Sequence, residues 1–256
     1  MDKVIAINAF EDNYIWLLHD AAQRQAVAVD PGAAGPVLKA LQRSGMKLVG
    51  ILVTHHHQDH TGGIRELLSH YPVPVYGPAG ETVPGLTDPL REGDRVALEA
   101  LEMHFSVLDT PGHTAGHIAF YGEGMLFCGD TLFAGGCGRV FEGTPQQMHA
   151  SLTKLAVLPE QTRLYCAHEY TLANLRFACR VEPDNDALRV RLQEVERQRS
   201  RGESTLPSTI GVELATNPFL RSDRHSVIEA AQRFRQKELS SASDVFAAIR
   251  AWKDAG

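Results

Sequence analysis

The run Val49-Gly50-Ile51-Leu52-Val53-Thr54-His55-His56-His57-Gln58-Asp59-His60 passes from an apolar stretch of strand length straight into four histidines and a carboxylate. Neutral imidazoles and carboxylates bind borderline or hard divalent ions when they are held around one point. In extended backbone, residues two apart face the same side, so His55 and His57 can grip a single ion. As the chain turns into a helix, Asp59 and His60 can reach a second point nearby, and Gly62-Gly63 would permit a tight turn there. Histidine makes up about one residue in twenty here, so an HxHxDH pattern would arise by chance in roughly one such chain in a thousand. The run therefore reads as a metal-donor loop rather than a polar turn.

Outward from this loop the sequence alternates short strands with helices. Strand-length runs occur at Tyr14–Leu18, Ala26–Val29, Val73–Tyr76, Val96–Leu98, Met103–Val107, Ile118–Tyr121 and Met125–Cys128. Helical spacing groups Val37, Leu38 and Leu41 in Ala34–Ser44, and Ile64, Leu67 and Leu68 in Thr61–Ser69. Thr144-Pro145 offers an N-cap and first-turn pair for a helix over Thr144–Leu155. This alternation predicts an α/β sandwich in which helices cover the sheets. From about Thr171 the strand signals stop. Helices are expected over Asn185–Arg201, Ser226–Glu238 and Ser243–Lys253, with the Ser-, Thr- and Pro-rich stretch Glu203–Pro218 as a connector. The expected division is thus a catalytic domain over 1–170 and a small helical domain over 171–256.

Composition narrows the function classes. The 256 residues are 43% hydrophobic and 22% charged, the profile of an ordinary globular protein. A formal charge of −6 leaves no basic footprint for nucleic acid. Met1–Tyr14 has no signal-peptide pattern, and the most apolar run, Leu48–Val53, is too short to cross a bilayer. A cytoplasmic protein without a membrane partner is expected. The four cysteines have no CxxC spacing and read as reduced thiols, which argues against a zinc site built from cysteine.

Three more donors follow strand-like runs. Thr110-Pro111-Gly112-His113-Thr114 follows Met103–Leu108, Gly129-Asp130-Thr131 follows Met125–Cys128, and Ala167-His168-Glu169-Tyr170 follows Arg163–Cys166. With His55, His57, Asp59 and His60, they give a set that resembles the signature of the metallo-β-lactamase fold superfamily. The resemblance extends to the glyoxalase II family through Thr110–His117, Gly129-Asp130-Thr131-Leu132-Phe133 and His168-Glu169-Tyr170-Thr171. Val181-Glu182-Pro183, Pro207-Ser208-Thr209, Asn217-Pro218-Phe219 and Arg250-Ala251-Trp252-Lys253-Asp254 carry it to the end of the chain.

The resemblance implies an αββα sandwich followed by a helical C-terminal domain. It implies two divalent ions, zinc expected with iron or manganese possible. His55, His57 and His113 would hold one ion, Asp59, His60 and His168 the other, and Asp130 would bridge them. Asp59 and Asp130 would be the catalytic carboxylates. His56 and Gln58 fall at the variable positions, and His117 falls outside the donor set. The implied reaction is hydrolysis of S-2-hydroxyacyl-glutathione, S-D-lactoylglutathione above all, to a hydroxy acid and glutathione, the second step of methylglyoxal detoxification. Ions that share one oxygen ligand lower its pKa and supply hydroxide at neutral pH. Arg139, Phe141, His168, Tyr170, Arg250 and Lys253 would contact the substrate, the cations meeting the carboxylates of glutathione. Many relatives have Lys and an aromatic hydroxyl where this chain has Arg139 and Phe141. A monomer is expected. Two rivals remain: a mononuclear iron persulfide dioxygenase on the same fold and a non-catalytic metal-binding protein. The seven donors argue against both, and the long helical tail argues against the dioxygenase.

Overall fold

Apolar residues on both faces of consecutive strands build the first sheet. The computed structural model describes residues 3–20 and 22–256. The chain divides into two compact units, Met1–Asp109 with Ala115–Gly129, and Thr110–Thr114 with Asp130–Gly256.

The first unit begins with β1 (Val4–Ala9), β2 (Asn13–Asp20), β3 (Gln25–Val29), helix α1 (Ala34–Ser44) and β4 (Lys47–Leu52). Helices α2 (Gln58–Thr61) and α3 (Ile64–His70) lead to β5 (Val75–Pro78) and β6 (Asp88–Leu90). These six strands form one sheet in sequence order, antiparallel from β1 to β3 and parallel from β3 to β6. Parallel neighbours need crossovers, which α1 provides from β3 to β4 and α3 from β4 to β5, while a loop over 79–87 joins β5 to β6. Val37 and Leu41 of α1 and Ile64 and Leu67 of α3 bury against Leu17, Ala28 and Ile51 of the sheet. Gly45 ends α1 in a left-handed conformation, φ 66°, which glycine adopts without a steric penalty. Strands β7 (Arg95–Leu98), β8 (Met103–Asp109), β9 (Ile118–Gly122) and β10 (Met125–Gly129) follow as an antiparallel meander.

The second unit is mostly helical. Its elements are β11 (Leu132–Phe133), β12 (Gly136–Cys137), α4 (Pro145–Ala156), β13 (Arg163–Cys166), α5 (Thr171–Val181), α6 (Asp186–Ser200), β14 (Ser208–Thr209), α7 (Ile210–Thr216), α8 (His225–Arg235) and α9 (Ala242–Asp254). Helix α4 opens on the foreseen Thr144, which forms a full capping box with Gln147. Leu175 and Ala178 of α5 pack on Leu188 and Val195 of α6.

Two sequence expectations are corrected. The stretch Glu203–Pro218 is not a plain connector: it holds β14, antiparallel to β13, and α7, capped by the Thr209 side chain. Its only fully apolar anchor of helical type is Ile210, too little for a periodic signal. The helix expected over Thr61–Ser69 begins later, at Ile64, and Thr61 instead ends the separate short helix α2, with Gly62-Gly63 between them. Those glycines are not needed for a left-handed turn, since Gly62 has φ −60° and Gly63 φ −84°. They are needed for closeness. A Cβ on Gly63 would fall 2.5 Å from the Ala34 nitrogen, and one on Gly62 would fall 2.7 Å from the Gly32 carbonyl oxygen.

Candidate metal centre

In the first unit the donor loop leaves β4, the strand beside β3, and Asp30 closes β3 from below it. Asp30 is buried and accepts from the Thr54 N–H at 2.8 Å and the Thr54 hydroxyl at 2.7 Å. Its Oδ2 lies 3.0 Å from His60 Nδ1. A carboxylate only accepts, so His60 carries its proton on Nδ1 and presents the lone pair of Nε2. The hydroxyl of Thr54 spends its proton on Asp30, so its oxygen accepts from His55 Nδ1, 3.1 Å away. His55 therefore also presents Nε2. That atom lies 3.1 Å from His57 Nδ1, and His60 Nε2 lies 3.5 Å from Asp59 Oδ2. Asn13 steadies Asp59 by donating to the same oxygen at 3.0 Å.

The second unit carries the other three donors. His113 Nδ1 faces the Arg139 carbonyl oxygen at 2.8 Å, which again puts the proton on Nδ1 and the lone pair on Nε2. That Nε2 lies 3.4 Å from Asp130 Oδ2, while His168 Nε2 lies 3.4 Å from Asp130 Oδ1. Each oxygen of one carboxylate thus faces a different imidazole, the arrangement a bridging ligand needs.

These spacings test whether divalent ions suit the residues. Two donors on one tetrahedral ion at ordinary zinc distances lie about 3.3–3.4 Å apart. The two donor pairs of each unit fall close to that edge length, and His55, His60 and His113 are held in tautomers that offer lone pairs. The donor set fits the ions.

One cavity of about 520 Å³ in the second unit has His113 and Asp130 in its wall together with Arg139, Phe141, Tyr170, Arg250 and Lys253. His168 stacks on Tyr170, ring centroids 4.7 Å apart, with Phe133 edge-on to both. Arg250 is 6% exposed and donates to the Cys137 carbonyl oxygen at 3.0 Å and to Asp254 at 2.8 Å. The Lys253 ammonium donates to Asn174 Oδ1. Burial lowers its pKa to about 8, and the charge of Arg250 adds in the same direction. The cavity wall thus combines three cationic side chains with two candidate metal donors.

Comparison with known proteins matches this layout. The profile of the metallo-β-lactamase superfamily covers residues 12–168, and that of the hydroxyacylglutathione hydrolase C-terminus covers 169–256. A hydroxyacylglutathione hydrolase of Alkalilimnicola ehrlichii is 59% identical over 254 residues, 99% of each chain. The chain belongs to the hydroxyacylglutathione hydrolase family.

Solved structures agree with the fold. ETHE1 from Myxococcus xanthus is 25% identical with a TM-score of 0.66, covering 99% of both chains. TTHA1623 in a di-iron-bound form is 28% identical with a TM-score of 0.58, covering 85% of this chain and 99% of that one. The fold of the family is the metallo-β-lactamase fold with a helical C-terminal domain, and this fold implies a dinuclear divalent metal site built from histidine and aspartate clusters.

Within this member of the hydroxyacylglutathione hydrolase family, His117 is fully buried and stacks on His55, centroids 4.7 Å apart. His56 turns aside to Glu81, with Nδ1 2.9 Å from the carboxylate. His149 lies 3.0 Å from the Ser222 hydroxyl, and burial lowers its pKa. Sequence reading missed Asp30, Asn13, Glu81 and Asn174. Asp30 had a usable signal, since it follows the apolar run Ala26–Val29 as other donors follow theirs. All four cysteines are free, and burial raises Cys166 to about 12, far from a reactive thiolate.

Proposed function

We propose that this chain hydrolyses the thioester of S-2-hydroxyacyl-glutathione, with S-D-lactoylglutathione the expected substrate, to a 2-hydroxy acid and glutathione. The observation that carries the reading is Asp130. Its two oxygens face two different imidazoles in the wall of a cavity that also carries Arg139, Arg250 and Lys253. A structural metal cage has no need of such a cavity.

In this reading His55, His57 and His113 hold one divalent ion and Asp59, His60 and His168 the other, with Asp130 shared. When bound, such a pair supplies a nucleophile from water at neutral pH and polarises the substrate carbonyl. The chain's own residues then do the rest. Asp30 and Thr54 keep His55 and His60 in the tautomers that donate. Asp59, fixed by Asn13 and open to solvent on its other side, orients the attacking water. Arg139, Arg250 and Lys253 hold the glutathione carboxylates, and Tyr170 offers its hydroxyl to the substrate backbone. Phe141 is 61% exposed and supplies apolar contact where a hydroxyl is missing. The departing thiol has an ordinary pKa of about 8.5 and leaves without a dedicated acid. Residues 1–170 act as the catalytic domain and 171–256 as the domain that holds glutathione. Zinc is the expected metal, iron and manganese being alternatives with the same ligands. The protein works as a cytoplasmic monomer without nucleic-acid or membrane partners. Among the described residues no helix is long and apolar enough to cross a membrane.

The test is turnover of S-D-lactoylglutathione by purified protein, following thiol release and dissolved oxygen together. Stoichiometric thiol with constant oxygen supports the hydrolase. Oxygen uptake with glutathione persulfide and no thioester cleavage would replace it with a dioxygenase.

A further inference from the structure

Glu81 lies outside the proposed donor set yet reaches the loop that carries it. Its side chain is only 4% exposed. Oε2 accepts from the backbone N–H of His56 at 2.6 Å and lies 2.9 Å from His56 Nδ1. Oε1 accepts from the backbone N–H of Gly116 at 3.0 Å. His56 sits between His55 and His57, so its amide belongs to the peptide plane from which both rings are hung. Gly116 follows shortly after His113 along the chain. One buried carboxylate thus ties together two backbone segments next to proposed donors.

The sequence makes room for this contact. A Cβ on Gly116 would fall 2.7 Å from Glu81 Cγ and 3.3 Å from its carboxyl carbon. Only glycine lets the carboxylate lie against that backbone. A buried carboxylate is expensive to desolvate and persists where donors compensate it. Here the donors are the amide and imidazole of His56 within the donor loop and the amide of Gly116 on a second segment. We propose that Glu81 is a positioning residue for metal binding, acting through the amide and ring of His56 to keep the rings of His55 and His57 at their 3.1 Å spacing. The inference rests on the dinuclear reading above.

The experiment compares wild type, Glu81→Gln and Gly116→Ala for zinc affinity, by competition with a chromophoric chelator. Unfolding temperature is measured in parallel on metal-free protein. Glu81→Gln keeps the size but turns one acceptor into an N–H group that faces another N–H. Gly116→Ala displaces the same carboxylate from the opposite side. Both variants are expected to lose affinity by about 10–100-fold, the range seen when partners of metal ligands are removed. Their metal-free unfolding temperatures should fall by only a few degrees, the cost of one unmatched buried hydrogen bond, and Glu81→Gln should regain most of its kcat at saturating zinc. Chelator titrations that superimpose on the wild type would overturn the proposal, as would lower metal-free stability with unchanged affinity. A wild type that binds no divalent ion would overturn the metal reading itself, and this proposal with it.

Discussion

Lys253 sits half-buried beside Arg250 with its pKa lowered to about 8. Its protonated form is the one that attracts a carboxylate, so the charge is present below that value and is lost as pH rises through it. The KM for a glutathione thioester should therefore climb several-fold between about pH 7.5 and 9, while kcat stays nearly level, since the contact lies far from the reacting carbonyl. Lys253→Met should have a raised KM at neutral pH and no further climb in this window. Initial rates across the range decide it, and parallel KM profiles for the two proteins would remove Lys253 from the site. At this scale the proposed histidine and aspartate donors stand out in sequence because metal chemistry admits few residue types and fixes their spacing. Glu81 does not, because a lone carboxylate has no pattern around it until folding brings His56 and Gly116 to it; Asp30 stands after an apolar run as the donors do, but its grip on Thr54 and His60 exists only in the folded chain.

Among the elements, the hairpin of β11 and β12 depends on a residue of α7. Glu213 is fully buried and accepts from the Gly135 N–H at 2.7 Å, from Asn217 Nδ2 at 3.1 Å, and from Arg191 and Ser208. Removing one partner of a buried ion pair typically costs about 3–5 kcal/mol, because the other is left uncompensated. Glu213→Ala should lose stability of that order in urea unfolding, and a loss under about 1 kcal/mol would show that the pair is not coupled to the fold. The long helices α6, α8 and α9 were readable from apolar spacing, within a few residues at each end. Helix α7 was not, since its ends are set by the Thr209 cap and by Glu213 reaching other elements. Gly62-Gly63 was read as a turn device when its role is close approach to the Gly32–Ala34 backbone, a contact that exists only in the folded chain.

For the molecule as a whole, the α/β class followed from alternating strands and helices and its αββα form from the resemblance carried by the donor motifs, and the likeness to hydroxyacylglutathione hydrolases runs through 99% of the chain. What local pattern could not supply was the contact of Arg250 with the Cys137 carbonyl oxygen and of Lys253 with Asn174, which form only once α9 has packed. Each unit contributes two donor pairs near the spacing of a shared ion, and the central claim is that together they hold two ions. The most direct measurement is the metal content of protein purified without added metal and then titrated with zinc, with thioester hydrolysis followed at each step. The account predicts activity that rises to a plateau at two ions per chain, is abolished by chelation, and is lost with metal occupancy in Asp130→Ala. A plateau at one ion per chain, or full hydrolysis by the metal-free protein, would contradict it.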